Sequence, residues 1–276
     1  VFNDPVIYGL LIQLSGEKAG LFAGLRFEIL YRKVTDTIGV YHIELTLPDE
    51  MRHLEFGEVS VTLPVVTIDI YTNGNFRVDF GFPPSLTDFS RSFSVQVFPF
   101  TGFAGFYFAL LNGETSTNVP KVTSGHFGTV VEFGFAHQIG VGKTLSLAIL
   151  SGGISITVGG MLQGVLGWYT PNDSNLPSER YHHITGTVAL IGKVYATVDF
   201  GIISASVSLT VYASISLDVE SYKAILLEVS AGVRVEVSIK IIFIRIHFSF
   251  SATITERFVI GSDSTPPWTL AAPGGG

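Results

Sequence analysis

Ile203-Ser204-Ala205-Ser206-Val207-Ser208-Leu209-Thr210-Val211-Tyr212-Ala213-Ser214-Ile215-Ser216-Leu217-Asp218-Val219 carries an apolar residue at every odd position. The even positions are small or polar, with Tyr212 the only large member. A period of two describes a strand with one dry face and one wet face. With no Gly or Pro to stop it, this strand would run roughly 55–60 Å at about 3.3 Å per residue, several times the usual length. Downstream, apolar residues stay on odd positions from Val229 to Ile239 and move to even ones from Ile244 to Ile254. The phase therefore flips within Lys240-Ile241-Ile242-Phe243, a segment without Gly, Pro, Asn or Asp, which predicts a bulge or bend and not a turn. If the odd face is dry, Val211→Asp should unfold the chain through a buried, unpaired charge.

The rest of the composition agrees with a β protein. Of 276 residues 47% are hydrophobic and 22 are Phe, while only 14% are charged, against about 25% in ordinary domains. Such a chain must bury much of its surface, pack against partners or sit in a larger body. The mean hydropathy of +0.46 would suit a membrane protein. No run approaches the roughly 18 apolar residues of a membrane helix, however, so membrane contact would have to be through strands. A formal net charge of −7, with 16 scattered basic residues, argues against nucleic acid, which needs clustered Lys and Arg. The absence of cysteine excludes disulfides and thiolate metal sites. A chain that opens on Val1 and closes on Ala-Ala-Pro-Gly-Gly-Gly reads as a fragment of something longer or a processed product. Where it acts is left open.

Turn signals divide the amino-terminal third. Phe27–Val34 and Val40–Leu47 flank a Gly-containing loop, and Pro48 with Asp49 and Glu50 predicts one helical turn near residue 50. Around Thr72-Asn73-Gly74 the faces stay unmixed only if Ile70 opposes Phe76, Asp69 opposes Arg77, Ile68 opposes Val78 and Val66 opposes Phe80, with Gly74 left-handed. That register predicts an Asp69–Arg77 ion pair. The Phe/Gly-rich middle suggests coiled sheet in which a ring fills the space a glycine leaves on the next strand. Loops are expected at Pro83–Arg91, Asn112–Gly125 and Tyr169–His183. The last, 169–183, is the boundary to expect if the single domain 1–276 divides.

Chemical motifs are sparse. Gly140-Val141-Gly142-Lys143-Thr144 has the ending of a phosphate-binding loop, but His137 stands where the pattern needs Gly and a strand pattern follows; a Gly-rich turn is the better reading. None of the seven histidines has helical ligand spacing, which predicts no metal. Asp49, Glu50, Glu55 and Glu58 read as a solvated turn. No Gly-x-Ser-x-Gly elbow and no thiol are present, so no enzyme and no cofactor are expected. The best candidate for a binding site is the aromatic and imidazole set Trp168, Tyr169, Tyr181, His182 and His183, which brackets the longest loop.

Asn75-Phe76-Arg77-Val78-Asp79-Phe80-Gly81-Phe82-Pro83, then Asp88-Phe89-Ser90-Arg91-Ser92-Phe93, then Gly105-Phe106-Tyr107-Phe108, resemble a segment of very large bacterial β-rich proteins, some encoded beside contractile injection systems. The Ser/Val/Ile strands and the closing Pro266-Pro267-Trp268 are similar in style, so the resemblance spans 59–268. It implies a module of a large cargo, effector or structural protein, and brings no catalytic residues with it. The expectation is therefore an all-β chain, with long antiparallel strands in a coiled sheet, wide barrel or sandwich. It would act as a non-catalytic structural or interaction module whose partners are another protein or neighbouring modules of the parent chain. Two alternatives stand beside it. A pore-forming or toxin-like hairpin fits the Ser/Thr wet face, but a spanning strand needs only about 9–11 residues and the stripe lacks aromatic girdles, so a membrane is not the favoured partner. The other is an apolar-ligand-binding barrel.

Overall fold

The computed structural model describes residues 2–3, 7–147 and 149–269; Val1 and the closing 271–276 lie outside them. Sixteen strands form one antiparallel sheet. They are β1 (Phe2–Asn3), β2 (Ile7–Gln13), β3 (Arg26–Lys33), β4 (Gly39–Thr46), β5 (His53–Phe56), β6 (Val59–Thr62), β7 (Val66–Tyr71), β8 (Phe76–Phe80), β9 (Phe93–Val97), β10 (Phe100–Leu111), β11 (Gly125–Leu147), β12 (Leu150–Pro171), β13 (Glu179–Asp199), β14 (Ile203–Glu220), β15 (Ile225–Ile241) and β16 (Ile244–Ile260). The main path runs β1-β2-β3-β4-β7-β8-β10 and then straight through β11 to β16. Beside β10 the sheet splits, because residues 106–110 pair with β8 while residues 100–104 pair with β9, which leads on to β6 and β5. Among the described residues β1 and β16 do not meet, so the sheet is open and not a closed barrel. The single expected helical turn is α1 (Asp49–Arg52), which opens after Pro48 with two acids in its first turn.

Six strands of 17 to 23 residues, β11 to β16, make a meander. Alternation holds them in register: Ser and Thr share one face, Val and Ile the other. The phase flip at Lys240 to Phe243 is a turn after all. Ile241 pairs with Ile244, leaving Ile242-Phe243 as a two-residue hairpin loop, and across such a loop partner numbers change parity, so odd apolar positions of β15 share a face with even ones of β16. The turn forms without Gly or Asn at the cost of Ile242 at φ 53°. The Ile70/Phe76 hairpin has the expected register from Val66↔Phe80 to Ile70↔Phe76, with Gly74 at φ 88°. Its ion pair does not form. Asp69 instead meets His42 at 2.6 Å, and the Arg77 guanidinium lies 4.3 Å above the Tyr107 ring.

Rings do fill glycine sites. Tyr107 lies over Gly134, Phe133 over Gly164, Tyr195 over Gly153 and Tyr212 over Gly232, each pair directly opposed across neighbouring strands. Gly140 and Gly142 are interior to β11, opposite Thr157 and Ser155; the Gly-rich turn expected there is a straight strand. The stretch expected to be loop at 169–183 contributes Tyr169–Pro171 to β12 and Glu179–His183 to β13, so only 172–178 connect two paired strands of the same sheet.

Burial is the reverse of the sequence expectation. Buried apolar residues sit on the polar face: Tyr107, Ala109, Leu111, Phe127, Val130, Ala136, Val165, Tyr169 and Tyr181 share it by register. The loop 112–124, the loop 83–92 and the segment around Trp268 cross the sheet on that side. On the other face the opening stripe stands in the open, with Val207, Leu209, Val211, Ile215 and Leu217 between 38% and 54% exposed. The dry inner wall is absent from the chain by itself.

Candidate functional site

The five residues singled out around the long loop do not form one site, because neighbours along a strand point to opposite faces. Tyr169 and Tyr181 are 1% and 4% exposed and pack with Phe127 and Trp268, ring centroids 5.6 to 6.0 Å apart. Trp168 faces the other way and is 40% exposed. His182 and His183 also part: Nδ1 of His182 lies 2.9 Å from Ser221 Oγ, and Nε2 of His183 lies 2.8 Å from Asp218 Oδ1. The aromatic cluster is a small core that anchors loop 112–124 and the Trp268 segment. Ser124 Oγ donates to the Trp268 carbonyl at 2.7 Å and touches Tyr169 Oη at 2.8 Å. Ser116 Oγ donates to the buried carboxylate of Glu132 at 2.6 Å.

Beside that core a groove of about 550 Å³ opens between Pro120, Tyr181, Glu220, Tyr222 and Lys223. Burial first, then the Glu220 carboxylate that accepts its proton at 3.1 Å, holds the Tyr181 hydroxyl well above its ordinary range. Lys223 is held up by its hydrogen bond to Glu220 at 2.9 Å. Asp263, also on the groove's rim, accepts the Ala224 amide at 2.9 Å. Ser221 and His182 have the composition of a nucleophile and base, yet Ser221 is 8% exposed and its Oγ also accepts the His182 amide at 2.8 Å. A hydroxyl shielded and tied in this way is a strand-end clasp. Among the described residues no group of three or more His, Asp or Glu is placed to hold a metal ion.

What the molecule offers instead is a surface. By register, one side of the sheet carries Leu10 and Ile12, Ile29, Ile43 and Leu45, Ile68 and Ile70, Val78, then Phe106 and Phe108, and so on through every long strand to Phe250 on β16. In β14 and β15 that face has no charged residue between Ile203 and Val219 or between Ile225 and Ile241. Its exposed members include Ile154, Val188, Ile215 and Phe248, at 54% to 60%. Over the six long strands alone the apolar area is on the order of 25 Å across and 55 Å long, from strand spacing and rise. A soluble monomer seldom shows more than a few hundred Å² of contiguous apolar surface. The sequence contained this face, in the parity of its Val and Ile; what it did not contain was which side the crossing loops would choose. Comparison with protein-family models, with curated proteins and with solved structures finds no match to this chain, and the geometry alone carries the functional reading.

Proposed function

We propose that this chain is a non-catalytic interaction module, a two-faced β wall whose apolar side is its working surface. The observation that carries the reading is the reversal of burial: both long crossing loops and the Trp268 segment lie on the polar face and leave the apolar one uncovered. Exposing that face to water is unfavourable by about 25 cal/mol per Å², so the chain gains by covering it. In a large bacterial protein of the kind its sequence resembles, such a wall would be covered in the assembled state. Cargo or effector roles beside an injection system belong to the same reading.

The test uses a substitution that leaves the sheet intact. Val188 and Ile215 are directly opposed, 60% and 54% exposed, and Val188→Lys with Ile215→Glu gives a cross-strand ion pair in place of two apolar groups. The unmodified chain should bind an apolar dye and enter detergent micelles or self-associate. The double variant should keep its strand circular dichroism and lose about tenfold in dye binding. An unmodified chain that is monomeric and does not bind dye would overturn the reading.

A further inference from the structure

We infer that the end of the sheet formed by the β11–β12, β13–β14 and β15–β16 turns is a tip that docks into bilayers bearing anionic headgroups. The inference rests on the apolar-face reading and assigns its first contact with lipid. The three turns lie at one end of the meander and are tied side by side: the Asp199 amide donates to the Ile149 carbonyl and the Ile242 amide to the Ile202 carbonyl, both at 2.8 Å. Hairpin turns ordinarily carry Gly, Asn, Asp or Pro. Here the β13–β14 turn keeps Gly201 at φ 83°, but around it the turns carry Ile149, Phe200, Ile202, Ile242 and Phe243, and these are 49%, 61%, 67%, 53% and 98% exposed. Among the described residues Phe243 packs against nothing, and Ile242 beside it takes a positive φ.

A second folded protein would need a hollow to match these separate projecting side chains; the fluid interface of a bilayer accepts any convex apolar tip. Charge selects the headgroup. Within nine residues on either side of the three turns Lys143, Lys193, Lys240 and Arg245 stand against Asp199, while Arg234 and Glu236 pair with each other at 2.6 Å, in a chain whose net charge is −7. Lys240 and Arg245 are cross-strand partners one pair behind the Ile241–Ile244 pair that closes the Ile242-Phe243 turn, where ammonium and guanidinium groups meet lipid phosphates while the ring enters the acyl boundary. The edge of β16, which pairs with no further strand among the described residues, limits entry of one chain to the tip, since open backbone edges are excluded from hydrocarbon.

The absence of cysteine makes the test direct. Phe243→Cys and, in the loop at the opposite end, Asp173→Cys each accept one environment-sensitive fluorophore. Vesicles of phosphatidylcholine with phosphatidylglycerol should bind the protein and brighten the label at 243, and nitroxide lipid should quench it. The label at 173 should stay aqueous, and pure phosphatidylcholine should bind roughly tenfold more weakly, with added salt erasing the difference. Phe200→Ser with Phe243→Ser should abolish flotation while dye binding to the apolar face persists. No vesicle binding, or binding with the 243 label still aqueous, overturns the tip; if dye binding is intact in that case, the apolar-face reading survives it.

Discussion

Gly232 sits directly opposite Tyr212, and a methyl group placed on it would lie 2.5 Å from the ring's Cζ and Oη. Tyr212 is itself fixed by a 2.5 Å hydrogen bond between its hydroxyl and Thr253 Oγ1, so it cannot swing aside freely. Gly232→Ala should therefore cost about 1–3 kcal/mol as overpacking, read as a lower urea midpoint. In a Tyr212→Ala background the same change should be neutral or stabilising; equal losses in both backgrounds would show that the ring is not the cause. Pairs such as Tyr107 over Gly134 and Phe133 over Gly164 were legible in the Phe/Gly-rich middle of the sequence; Tyr212 over Gly232, outside it, was not. The partner of each charge was not, because Asp69 stands between Arg77 on one neighbouring strand and His42 on the other, and took His42. Tyr181 supports a second prediction. Burial raises its hydroxyl pKa in the folded chain, so the unfolded chain releases this proton first, and stability present below the ordinary value of about 10 is lost as pH rises through and beyond it. Tyr181→Phe should flatten the alkaline limb of stability against pH, measured by denaturant titration at successive pH values. An unchanged limb would reassign it to Tyr71, Tyr107 and Tyr222, which are raised as well.

At the scale of elements, hairpins were readable where turn chemistry and face pattern agreed. Gly74 could take a positive φ, and only one register kept Ile68 beside Val78. The β15–β16 turn obeyed the face pattern and broke the turn chemistry, and so it read as a bend. Parity alone would have located it, since a two-residue loop is the simplest way to carry an odd stripe into an even one. That conflict also marks stored strain: a β-branched residue at φ 53° is costly, typically about 1–3 kcal/mol. Ile242→Gly should raise the urea midpoint by about 1 kcal/mol of stability, the relief being partly offset by glycine's greater freedom when unfolded. A lower midpoint would mean that Ile242 contributes packing that outweighs its backbone conformation. The same variant tests a trade between stability and the tip, because it removes one exposed apolar side chain from the end inferred to meet lipid.

For the whole molecule, the all-β class and the meander of long strands follow from alternation, a local property. Which face ends up covered does not, because it depends on where loops 83–92 and 112–124 and the Trp268 segment settle, and those contacts link residues far apart in sequence. Val211→Asp separates the two accounts. If the stripe from Ile203 to Val219 lined a closed interior, a carboxylate at 211 would be buried without a partner and the chain would unfold. Val211 is 52% exposed in the open sheet, opposite Gly192 on one side and Val233 on the other. The new carboxylate would keep its water, and the remaining loss is strand propensity, about 1 kcal/mol. The variant should therefore fold, with its circular dichroism unchanged and its urea midpoint slightly lower, and should bind apolar dye less well because a charge now divides the face. Cooperative loss of strand signal at neutral pH would mean that the face is covered within the chain in solution, and the open wall would have to be abandoned.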